Sequence, residues 1–274
     1  MSAPKNSNIT TLAVALVLCL VCSVMVSAVA VGLKPKQVEN AKLDQSKNIL
    51  IAAGLATEDT TNSEVAQLSA DFKPQIIQLK EGRFATAEEL AEAGITDVAT
   101  YNADAAAKRA GLGNELSEDP ARVGHTPVYA KVYIKDAADG KPELVVLPVK
   151  GYGLWGTIYG FLVLENDMNT IKGVSFYQHK ETAGLGSRIT EPQWRGLWEG
   201  RPMYDDKGEI IFGVVKNGSH KPNPNYIDGI SGATLTGRGV NNFIQFWLGE
   251  QGYKTFLNNL KSGQAGTPAQ GKGA

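Results

Sequence analysis

The run LAVALVLCLVCSVMVSAVAVGL, Leu12 to Leu33, contains no charged side chain. A helix crossing a bilayer core needs about 20 apolar residues, because every backbone amide must be satisfied within the segment. The run is therefore read as a membrane helix over 12–33, with residues 1–11 on one side of it. A cleaved signal peptide is the competing reading, since Ala28-Val29-Ala30 has the small-residue form of a cleavage site. Signal h-regions are usually about 7–15 residues, so length favours a retained anchor. Lys5 precedes the span, whereas Lys34, Lys36, Lys42 and Lys47 follow it. Charge counting alone would keep the C-terminal part in the cytoplasm, but large domains are translocated against such counts.

Both cysteines, Cys19 and Cys22, fall inside this run. Their C-x-x-C spacing admits a redox or metal pair; small apolar packing residues on one helix face is the plainer reading. The rest of the chain has no cysteine, which excludes a disulfide or a Cys-based zinc site there. A formal net charge of −1 with no long basic run argues against a nucleic-acid protein, which needs a concentrated cationic face.

Beyond the anchor, residues 34–126 read as a helical stalk and packing region. Helices are expected over 36–56, 62–80 and 86–93, and mostly irregular chain over 97–126. From Pro127 the pattern changes to strands and tight turns. VYAKVYIK, ELVVLPVKGYG, GTIYGFLVLEND and TIKGVSFYQHK follow one another through connections too short for a crossover helix, so neighbours must run antiparallel. A short helix is expected over 191–199, a strand at EIIFGVVK, and a helix over 237–261. Residues 262–274 read as a disordered tail. The fold class is α+β: a largely antiparallel sheet flanked by helices, domain 127–261, tethered by one N-terminal transmembrane helix.

Three stretches carry possible chemistry. GYGLWG, Gly151–Gly156, matches G-x-G-x-x-G, but it opens a strand pattern rather than a helix, so a dinucleotide-binding turn is excluded. Leu154 and Trp155 there could lie against a flat ring, or simply stiffen a hairpin. HKETAGLG, His179–Gly186, joins His179, Glu181 and Thr182 to a small-residue loop. Its Ala183, Gly184 and Gly186 amides and the Thr182 hydroxyl suit the polar edge of a ligand. His125 and His220 are too isolated to complete a metal site. Lys216 and Lys221 flank NGSH and could meet an anion, though most lysines are solvated surface. The third stretch, DGISGATLTGRGV, has small hydroxyls but no nucleophile elbow and no P-loop lysine. It ends where a helix begins, which suits a phosphate near Thr234.

Asp228, Ser231, Gly232, Ala233 and Thr234 match the D-x-x-[ST]-G-A-T flavinylation motif, and the chain resembles the FMN-binding domain family. HKETAGLG resembles that family's H-x-E-T-P-G-L-G, with Ala183 in place of its usual proline, and GYGLWG resembles its glycine-rich aromatic turn. With the anchor and the long segment before Thr126, the chain looks like the C-subunit family of Na+-translocating NADH:quinone oxidoreductases (Nqr). The resemblance implies that Thr234 carries FMN through a phosphoester made by a flavin transferase from FAD with magnesium. Thr236 is the alternative acceptor, outside the motif. It also implies FMN contacts from Leu154, Trp155, His179, Glu181, Thr182, Leu185, Gly186 and Lys216, no catalytic residue, and no resident metal. The implied setting is a six-subunit complex in the bacterial inner membrane. There the domain would lie on the periplasmic side, relaying electrons between a membrane iron–sulfur centre and another flavin subunit. The RnfG component of the related Rnf complex, a stand-alone anchored flavoprotein and an anchored non-redox binding domain are the alternatives.

Overall fold

The computed structural model describes residues 7–269. The chain divides into two compact units, Met1–Gln45 and Ser46–Ala274. Helix α1, Ser7–Ala52, supplies the described part of the first and the start of the second. It is long and apolar enough to cross a membrane, with a mean hydropathy of 2.9 over its most apolar window. A break near Lys34–Lys36 is the expectation from the sequence; instead α1 continues through Pro35. One proline removes one rung of the ladder, and the flanking rungs suffice to carry the helix on. The helix closes where the Leu55 amide donates to the Leu50 carbonyl at 2.8 Å.

The second unit is built on a six-stranded antiparallel sheet in the order β2-β1-β5-β6-β7-β8. Before it come α2 (Asn62–Ser69), β1 (Phe72–Gln78), β2 (Arg83–Phe84), α3 (Ala87–Glu92) and α4 (Ala103–Ala106). A small ladder of β3 (Gly113–Glu115) and β4 (His125–Pro127) precedes the meander β5 (Tyr129–Asp136), β6 (Pro142–Tyr152), β7 (Thr157–Leu164) and β8 (Ile171–Gln178). A 3-10 turn at Gly186–Thr190 leads to α5 (Pro192–Arg195), the parallel pair β9 (Gly213–Val215) and β10 (Tyr226–Asp228), then α6 (Thr234–Leu248) and α7 (Lys254–Lys261).

The central strands are apolar on both faces because both are covered. Leu144, Val146, Phe161 and Val163 pack with Ile49, Leu50, Ala52 and Ala53 from the end of α1. Val145, Leu147, Leu162 and Leu164 face Phe243, Ile244 and Trp247 of α6 and Phe256 of α7. This alternation is the two-residue period of a strand. β6 carries Pro148 in its interior, but its register with β5 ends at Val146, so the missing N–H breaks no rung on that side.

Further expectations are corrected. The helix over 62–80 stops at Ser69, and Phe72–Gln78 is a strand paired along its whole length with β5. Phe72, Ile76 and Ile77 are buried by that sheet, an outcome local spacing does not register. Consequently the strand-rich body starts well before Pro127, the sheet including residues of the expected stalk. The strand at EIIFGVVK shrinks to β9 and lies outside the large sheet. The helix over 237–261 is two helices, broken where the Tyr253 amide turns back to the Trp247 carbonyl at 2.7 Å. Finally, the tail is ordered at its start: Ala265 is buried and its carbonyl accepts the Phe84 amide at 2.9 Å. β2 is an edge strand, so that amide needs a partner from elsewhere. Residues 270–274 lie outside the described residues.

Candidate functional site

The loop between β10 and α6 is anchored where it leaves β10. The Gly229 amide donates to the Val215 carbonyl at 2.7 Å, and Trp194 Nε1 donates to the Asp228 carbonyl at 2.9 Å. The Asp228 carboxylate receives Lys221 Nζ at 2.9 Å and the Gly218 amide at 3.3 Å. Gly232 adopts φ +80°, a left-handed conformation that disfavours any side chain. Helix α6 then opens at Thr234, which is half-buried. Its N-cap residue, Ala233, supplies no side-chain cap, and the first turn contains no acidic residue. The first-turn amides of a helix lack intrahelical partners and carry the positive end of its dipole. Left uncapped, they form an anion-binding end directly at the Thr234 hydroxyl.

The Asp228 carboxyl is held below its ordinary value, chiefly by its hydrogen bond with Lys221. A depressed carboxyl stabilises the fold fully above the ordinary Asp value of about 3.9, and that contribution disappears as pH falls through the lowered folded value. Acid unfolding of the full chain should therefore lose a contribution that Asp228→Asn lacks from the outset. The two acid transitions converging at the low end is the expected result. Because the pair is partly exposed, the difference should be small and should shrink with salt.

Glu181 is the hub of the site. The residue is 7% exposed. Oε1 accepts the Leu154 and Trp155 amides, both at 3.0 Å, and Oε2 accepts the Thr236 hydroxyl at 2.5 Å. Its own amide donates to His179 Nδ1 at 3.2 Å. One side chain thus joins the Gly151–Gly156 turn, the His179–Gly186 loop and the first turn of α6. The fit requires glycine at 186, where a Cβ would stand 2.6 Å from Thr236 Oγ1 and 2.9 Å from Glu181 Cβ.

Around this hub the chain exposes apolar side chains. Trp155 is 61% exposed, and Leu154, Leu185 and Leu235 are exposed beside it in the same three segments. Leu185 lies over Gly232, Cδ2 standing 3.5 Å from where a Cβ there would be. Thr182 is exposed, and Lys216 is exposed just past the end of β9.

Several residues singled out from the sequence are thus gathered: Leu154, Trp155, His179, Glu181, Thr182, Leu185 and Gly186 share contacts or adjoining segments with the start of α6. Three groups weighed from the sequence are taken up by protein partners. Lys221 is paired with Asp228 rather than offered to a ligand. The Gly184 amide is occupied by Ser187 Oγ at 3.0 Å. Thr236 is 1% exposed and bonded to Glu181, so its hydroxyl is not accessible. Two neighbours escaped the sequence reading, Leu235 and the exposed Arg238, one turn beyond Thr234. For Arg238 the i+4 spacing from Thr234 on the helix was the available signal.

The FMN-binding domain family model matches residues 153–249, the span that holds all of these groups. Similarity to curated proteins extends much further. The chain is 42% identical over 270 residues to the C subunit of the Na(+)-translocating NADH-quinone reductase of Pseudomonas aeruginosa, covering 96% of this chain and 100% of that protein. The chain belongs to the C-subunit family of Na(+)-translocating NADH-quinone reductases. The Yersinia pestis member is 37% identical over 95% of this chain and 96% of its own length. Among solved structures, Shewanella oneidensis NqrC superposes with a TM-score of 0.70 at 35% identity, covering 81% of this chain and 99% of that one. The corresponding C subunit from Parabacteroides distasonis gives 0.63 at 25% identity, over 82% and 96%. The α+β fold with its large antiparallel sheet is that of this family.

Proposed function

We propose that this chain is the membrane-anchored flavin subunit of a Na+-translocating NADH:quinone oxidoreductase, with FMN held by a phosphoester to Thr234. The observation that carries the reading is the contrast between two hydroxyls: Thr234 opens an uncapped helix, while Thr236 is buried against Glu181. The residues present suit the group. A phosphate ester on Thr234 would meet unpaired helix amides, and a flat ring would find exposed apolar cover at Leu154, Trp155, Leu185 and Leu235.

When bound, FMN supplies the electron-transfer chemistry. The chain's residues do the rest. Thr234 fixes the group against loss, α6 receives its phosphate, and Thr182 and Lys216 offer a hydroxyl and a cation to its polar parts. The openness of the site, shown by the exposure of Trp155, leaves an edge from which partner proteins can be reached. The one carboxylate of the 228–240 stretch, Asp228, is paired with Lys221, which fits modification by a separate flavin transferase that draws on FAD and magnesium. Helix α1 would tether the domain to the inner membrane, with the domain on the periplasmic side.

In this reading electrons pass between a membrane iron–sulfur centre and another flavin subunit, and the chain works only among the other five subunits. Similarity along nearly the whole chain to the Nqr C subunits favours this over an RnfG-type protein or a stand-alone flavoprotein. The test is to express the chain with its transferase and look for flavin fluorescence on a denaturing gel. A fluorescent band that copurifies with five partners supports the proposal, and a non-fluorescent full-length band overturns it.

A further inference from the structure

We infer that Glu181 is a positioning residue for the flavin site, acting through the Leu154–Trp155 turn and Thr236 rather than by touching the cofactor. This deepens the reading of Thr234 as the attachment point and rests on it. Three observations converge. Both carboxylate oxygens are occupied by protein donors, at 3.0, 3.0 and 2.5 Å. The residue is 7% exposed, so little of it faces a ligand. Its surroundings are also shaped for it: a Cβ at Gly153 would stand 2.6 Å from Oε1, and one at Gly186 would stand 2.9 Å from Oε2.

The consequence is mechanical. Trp155 is largely exposed, and no strand pairing holds its amide, so its placement depends on the Glu181 bond. Through Oε2 the same carboxylate reaches Thr236, two residues along α6 from Thr234. The turn that bears the aromatic and the helix that bears the attachment hydroxyl are therefore held in register by one side chain. All three donors are neutral, so glutamine can replace the carboxylate. Its Oε1 accepts both amides and its NH2 donates to Thr236 Oγ1. Alanine can do neither.

The experiment compares Glu181→Ala, Glu181→Gln and Thr236→Val in the full chain, expressed with the flavin transferase. One readout is independent of flavin: hydrogen exchange at the Leu154 and Trp155 amides. The other is covalent flavin yield per chain. Glu181→Ala should speed exchange at both amides by at least about tenfold, because each loses its Glu181 acceptor, and should lower flavin yield severalfold. Glu181→Gln should keep both within about twofold of the parent, since it retains the acceptor. Thr236→Val should leave the two amides protected, because Oε1 is untouched. Unchanged exchange in Glu181→Ala overturns the inference. So does a Glu181→Gln chain with protected amides but lost flavin, since that result would mark the carboxylate as a direct cofactor contact. If Glu181→Ala fails to fold, the glutamine variant still decides. A failure of the Thr234 reading shows separately, as parent chain without covalent flavin, and leaves the exchange arm intact.

Discussion

Replacing Thr234 by alanine is expected to abolish covalent flavin completely, leaving a non-fluorescent band of full-length chain on a denaturing gel. Thr234→Ser should retain it, because serine presents the same Oγ at the first residue of α6. Thr236→Ala should also retain it. Thr236 is 1% exposed and its hydroxyl donates to Glu181, so its removal costs a buried hydrogen bond but no attachment point. The cost should be about 1–2 kcal/mol of stability, set by leaving a carboxylate oxygen without its donor. Mapping the modified peptide by mass spectrometry decides between the two threonines. Flavin persisting on Thr234→Ala would move the attachment elsewhere and remove the basis of the functional proposal. The native fold of the variant can be checked independently, since Thr234 makes no side-chain cap that the helix would lose.

The second large effect is structural. Phe243 is fully buried on α6, stacks edge-to-face on Phe176 with centroids 6.2 Å apart, and packs where β6 ends. A Cβ at Gly151 would lie only 2.2 Å from Phe243 Cβ, so helix and strand touch with nothing between them. Phe243→Ala should destabilise the Ser46–Ala274 unit by about 3–5 kcal/mol, the transfer loss plus the cavity left behind. For a unit of this size that is a fall in Tm of about 6–20 °C. Thermal unfolding of the detergent-solubilised chain measures it. A loss under about 1 kcal/mol would mean that the region collapses around the gap, and that α6 is less rigidly seated than its contacts imply.

Much of this was legible in the chain itself. The uncharged run at Leu12–Leu33, the strand meander from Tyr129 to Gln178 and the helix after DGISGATLTGRGV follow from apolar spacing and short connections, which are local properties. The family resemblance rested on motifs equally local. What local spacing could not supply was the strand Phe72–Gln78, whose apolar residues are compatible with a helix face until a partner strand is present. Nor could it supply the ordering of Ala265, which depends on an edge amide far away in sequence.

The same division runs through the candidate site. The residue types at Gly151–Gly156, His179–Gly186 and Asp228–Thr234 were set out by the sequence. Only the tertiary structure buried Thr236 against Glu181, paired Lys221 with Asp228, and showed Glu181 occupied by protein donors. Those outcomes depend on which groups meet across segments far apart in the chain. A hydroxyl or carboxylate has the same chemistry at any position, and what it can do depends on burial and partners, which come into being only when β6, β8 and α6 pack together.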